Sequence, residues 1–110
     1  MTKITWSNAK KALVGKSTLI ELKHVDALGK DMGLEHAWGI IESVDRKDGI
    51  LIELLGVRAG QKMALPAEIE TFQVARPGLY RLETTGEEIE SPDYYSVWTI
   101  THTNRLVGAD

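Results

Sequence analysis

Three histidines, His24, His36 and His102, and a scatter of carboxylates are the side chains of this sequence best suited to hold a metal or move a proton. His24 and His36 flank a loop centred near Lys30. Facing each other across it, with Glu35 or Asp26 nearby, they would offer two imidazoles and a carboxylate to a divalent cation. No third ligand stands at a metal-site spacing, so the stronger reading makes His24 a hydrogen-bonded residue at the border of a strand. Neither a metal nor any other cofactor is expected. The best polar and aromatic cluster is Asp93-Tyr94-Tyr95, just after Pro92. It has the groups for acid–base work, yet a turn leading into a strand accounts for it equally well. No HExxH spacing and no serine on a nucleophile elbow occurs. With no cysteine, disulfides, thiolate metal centres and cysteine nucleophiles are excluded. GKST at 15–18 matches the end of a phosphate-cradling loop, but Lys10 stands where the first glycine is required. An enzyme is not expected.

The charge is uneven. Residues 1–30 carry six lysines against Glu21 and Asp26, whereas residues 82–110 carry six carboxylates against Arg105 alone. The net charge is only −3, which gives no general attraction to nucleic acid or an anionic membrane. No apolar run approaches the ~18–20 residues of a membrane helix, and the first residues lack a signal-peptide core. A soluble cytoplasmic domain is the expectation. At 110 residues, 43% hydrophobic and 26% charged, the chain suits one domain, 1–110, with one core.

The elements that would position these side chains follow from periodicity. Ser7 reads as an N-cap for a short helix over 8–14, closed by Gly15. Thr18 to Asp26 alternates as a strand, and DALGKDMG reads as a loop. The next strand runs about 35–44, with Trp38, Ile40 and Val44 on one face and Gly39 marking a bulge or tight bend. DRKDG at 45–49 is a hairpin turn before the apolar strand 50–57, and Gln61–Leu65 makes a fourth strand. One helical turn is expected near 67–72. Strands follow at 79–85 and from Tyr94 onward, where YYSVWTIT has strongly β composition.

About six short strands with a short N-terminal helix and one helical turn define a mainly β class and suggest a small closed barrel. The stretch GKSTLIELK…WGIIESVDRKDGILIEL resembles SH3-like and Sm-like barrels in its order of strands and its Asp-containing hairpin. It lacks the Asn and the later Arg-Gly or Lys-Gly pair that an Sm-like base-recognition site would need. GIIESVD, the YRL strand and the PDYYSVWTI ending are also similar to small uncharacterised bacterial proteins, a resemblance that brings no activity with it.

With catalysis set aside, the expected function is that of a non-enzymatic binding module working through protein–protein contact, in the manner of an inhibitor or immunity protein. The expected surface is Glu87, Glu88, Glu90 and Asp93 with Tyr94 and Tyr95. Tyrosines give contact area at small entropic cost, and clustered carboxylates would steer a basic partner. The alternative is an Sm-like or SH3-like nucleic-acid-binding protein, with Lys10, Lys11 and Lys16 on phosphates.

Overall fold

A computed structural model describes residues 4–102 of the chain. The described residues are mainly β, with α1 (Ala9–Leu13), β1 (Ser17–Val25), β2 (Asp31–Asp45), β3 (Gly49–Leu54), β4 (Lys62–Leu65), β5 (Gln73–Val74), β6 (Leu79–Arg81), β7 (Glu88–Glu90) and β8 (Tyr94–Thr101). Two 3₁₀ turns lie at Gly56–Arg58 and Ile69–Thr71. No helix among the described residues is long and apolar enough to cross a membrane.

Six strands form one sheet in the order β4-β3-β2-β1-β8-β5, and β6 pairs with β7 as a separate hairpin. The expected barrel closure is absent from the pairing. β8 returns to the outer side of β1 and lies parallel to it from Thr18↔Tyr94 to Val25↔Thr101. β4 and β5 therefore remain as the two edges of the sheet and do not pair with each other. The loop expected at 26–33 is also much shorter, because β2 begins at Asp31 and spans 15 residues.

One side of the sheet carries the main core. Ile20, Leu22, Ala37, Ile41, Val44, Ile50, Ile52, Leu54 and Trp98 are buried there beneath Ala9 and Leu13 of α1, Ile69 and Phe72. The five-residue helix is too short to be stable by itself and is held by this packing. Its N-cap is Asn8, one residue later than the Ser7 expected. Trp38 and Val44 do not share a face as simple alternation predicts. A β-bulge between Ile41 and Ser43 shifts the register against β3, so Ile41 and Val44 both enter the main core. Gly39 is not the bulge. A Cβ there would lie 2.2 Å from the backbone oxygen of Glu53, so glycine is what lets β2 and β3 approach at that point.

The opposite side of the sheet is covered in part by the β6–β7 hairpin. Leu19, Leu82 and Ile89 are buried between them, with Trp38 and Tyr80 packed alongside.

Candidate functional site

The six residues expected to form a contact surface are divided by the fold. Glu87 is half-buried and structural. Its Oε2 accepts from the Trp38 indole Nε1 at 3.1 Å and from the Val57 backbone N–H at 3.0 Å, which ties the hairpin to the 3₁₀ turn after β3. Burial pushes its carboxyl pKa up, but the hydrogen bonds from Val57, Trp38 and Thr85 outweigh that and leave it below the usual carboxylate value. Gly56 belongs to the same arrangement: its φ of +67° and the space occupied by Glu87 leave no room for a side chain.

Asp93 is also engaged inside the molecule. Its Oδ2 accepts from the Ser17 N–H at 2.9 Å and from the Ser17 hydroxyl at 3.1 Å, while its own N–H donates back to Ser17 Oγ at 2.9 Å. This reciprocal pair fixes the register at which β8 enters the sheet beside β1. Tyr94 turns inward, its ring edge-on to Phe72 and its hydroxyl donating to the Ala12 carbonyl at 3.1 Å. Burial, with the Asp93 charge next door, raises its phenol pKa. Glu88, Glu90 and Tyr95 remain exposed. The Tyr95 hydroxyl donates to Gln73 Oε1 at 2.9 Å, so Asp93, Tyr94 and Tyr95 point to three different partners and form no common acid–base centre.

The histidines separate as well. His24 shares a sheet face with Leu22, whereas His36 pairs in register with Glu21 on the other face. They do not face each other. His36 Nε2 lies 3.1 Å from Glu21 Oε1 and its Nδ1 lies 3.2 Å from the Thr84 hydroxyl. His24 Nε2 lies 3.0 Å from Glu35 Oε1, and its Nδ1 lies 2.8 Å from His102 Nε2. Donation to Glu35 from Nε2 leaves Nδ1 of a neutral His24 to accept from His102. The hydrogen bond from His24 lowers the Glu35 pKa against the opposing effect of burial, and Arg58 adds to the lowering. Among the described residues no group of three His, Asp or Glu is placed to hold a metal ion.

Two further features emerge from the tertiary arrangement. The first is the outer edge of β8. Ala75 N–H donates to the Asp93 carbonyl on the β5 side, and His102 N–H donates to the Val25 carbonyl on the β1 side. Strand alternation then aims the backbone groups of Ser96, Trp98 and Ile100 at β1, and those of Tyr95, Val97, Thr99 and Thr101 outward. β5 covers this edge only at Val74↔Tyr94 and Gln73↔Tyr95. From Val97 to Thr101 the outward backbone has no strand partner among the described residues.

The second feature is a groove of about 410 Å³ beside that edge, between the sheet and the hairpin. Its floor includes Leu19, Leu82 and Val97, and Tyr80, Tyr95, Arg76 and Arg81 stand around it. This size lies within the ~300–1,000 Å³ range of ligand clefts. Composition gave no sign of either feature beyond the β character of YYSVWTIT, because both depend on how β8 and the hairpin meet the sheet.

Comparison with family models, curated proteins and solved structures gives no match for this chain.

Proposed function

We propose that this protein is a non-enzymatic binding module that works by protein–protein contact, receiving an extended segment of its partner as an added strand along β8. The supporting observation is the edge from Val97 to Thr101, which has no strand partner among the described residues. Unpaired strand edges are templates for another chain, and proteins usually blunt them with charge, proline, bulges or extreme shortness. The β4 edge is four residues long and carries Lys62. β5 has two residues. Val97-Trp98-Thr99-Ile100-Thr101 has none of these protections, and Val97 is 43% exposed. Main-chain hydrogen bonds would supply affinity, and alternate side chains of the added segment would supply specificity.

In this reading the module acts by occupation, as an inhibitor of the immunity type does, and needs no chemistry of its own. Glu88 and Glu90 on the hairpin offer a basic region of the same partner a second, solvent-screened contact. Selection from a displayed library of random dodecapeptides tests the proposal. Enriched peptides are expected to alternate apolar and polar residues and to lose binding to Thr99→Pro, which removes an outward N–H and leaves the β1 ladder intact. An unenriched library, or enriched peptides that bind Thr99→Pro as well as the parent protein, would overturn it.

A further inference from the structure

The groove beside β8 narrows the chemistry of the segment, given the strand addition proposed above. Arg76 and Arg81 both line it. Among the described residues neither guanidinium lies within 4 Å of a carboxylate, although Glu88 is the register partner of Arg81 on β7. The acid in the lining, Glu21, already has Oε1 against His36 Nε2. The groove therefore combines an apolar floor with two arginines that have no ionic partner among the described residues. Val97 belongs both to its lining and to the start of the open edge, and Tyr95, where the cover of β5 ends, lines it as well.

We infer that the partner segment is acidic: an extended stretch whose apolar side chains lie over Leu19, Leu82 and Val97 and whose Asp or Glu meets Arg76 and Arg81. Geometry places the two demands together. A strand added along β8 beyond the Gln73 side of β5 has every second side chain on the groove side of the sheet, because side chains alternate between faces. Those residues would stand next to Val97 and Thr99. A carboxylate among them can accept from a planar guanidinium through paired hydrogen bonds, which a lysine in the segment cannot do. The sign is opposite to that of the exposed hairpin acids. The strand-forming segment and any region drawn to Glu88 and Glu90 are thus distinct parts of the partner.

The test is a reversal of specificity in the same displayed dodecapeptide library, selected in parallel on the parent protein and on the double variant Arg76→Glu, Arg81→Glu. Both positions are exposed, and a thermal melt establishes that the variant keeps the parent fold. The parent is expected to enrich alternating peptides containing Asp or Glu, and the variant to enrich alternating peptides containing Lys or Arg. An acidic peptide selected on the parent should bind the variant about tenfold more weakly or worse, with the loss reduced at high salt. Alternating peptides with no charge preference, or with the same acidic preference on both proteins, would overturn the acidic assignment and leave strand addition standing. If neither protein enriches any alternating peptide, strand addition fails and the acidic segment fails with it.

Discussion

Glu87 shows how closely residues of one type can differ in role. Beside Glu88 it looks like another solvated acid, yet it is the one that accepts hydrogen bonds from an indole and a backbone amide. Glu87→Ala removes the acceptor from both donors and should cost about 1–3 kcal/mol in a urea unfolding titration. Glu88→Lys with Glu90→Lys, on exposed positions, should stay within about 0.5 kcal/mol. Comparable losses from the two changes would remove the distinction. The depressed pKa of Glu87 also gives a sign. A group held more acidic in the folded state stabilises it fully above its unfolded pKa, about 4.3, and loses that contribution as pH falls through the folded value. Stability plotted against pH should therefore fall less steeply below about pH 4.3 in Glu87→Gln than in the parent protein. Tyr94 runs the other way. Its raised pKa stabilises the fold below about pH 10 and the contribution is lost as pH rises. In Tyr94→Phe that alkaline loss should shrink, together with about 0.5–1.5 kcal/mol of stability at neutral pH from the bond to Ala12.

At the scale of elements, the two neighbours of β2 and the edge of β8 give separate measurements. Gly39→Ala places a methyl group against the Glu53 carbonyl, where backbone must move, and should destabilise by about 1–3 kcal/mol. An unchanged melting temperature would mean that β2 and β3 can part there freely. Alternation along β8 predicts a matching pattern in amide hydrogen exchange. Ser96, Trp98 and Ile100 donate towards β1 and should exchange slowly, whereas Val97 and Thr99, aimed away from it, should exchange fast. Uniform protection along the strand would show that its outer edge is covered and would remove the basis of the proposed contact. The clasp between Asp93 and Ser17 belongs to this scale too, since it sets where the parallel pairing starts.

For the molecule as a whole, β8 is the strand on which integrity and proposed function converge. It is the last strand described in the chain, yet it sits beside β1 and carries Trp98 into the main core against Phe72 at a centroid separation of 5.8 Å. A chain ending after Asp93 would leave β1 unpaired on that side and open the core. Such a chain is expected to show no cooperative thermal transition and no near-ultraviolet signal from packed aromatics. If it melts cooperatively, the first four strands form a core without β8. Charge is also distributed at this scale: exposed acids lie on the hairpin, and the two arginines, without ionic partners among the described residues, line the groove beside it.

The sequence by itself determined the class and most of the local elements. Period-two runs at Thr18–Asp26 and from Tyr94 on, the DRKDG turn and the helical turn expected near 67–72 and found at Ile69–Thr71 are set by neighbours a few residues apart, so alternation and turn chemistry report them directly. What tertiary structure decided depends on partners far along the chain. Parallel pairing of β8 with β1 joins segments 76 positions apart and leaves the sheet open, which no local pattern encodes. The bulge after Ile41 reverses the face of every residue beyond it, so alternation read through Glu42 assigns Val44 to the wrong side. The acidic run looks uniform from Glu87 to Asp93 because sequence records charge and not the donor each carboxylate meets. Trp38 and Val57 claim Glu87, Ser17 claims Asp93, and the open edge and the arginine-lined groove arise only where those long-range contacts bring the hairpin and β8 to the sheet.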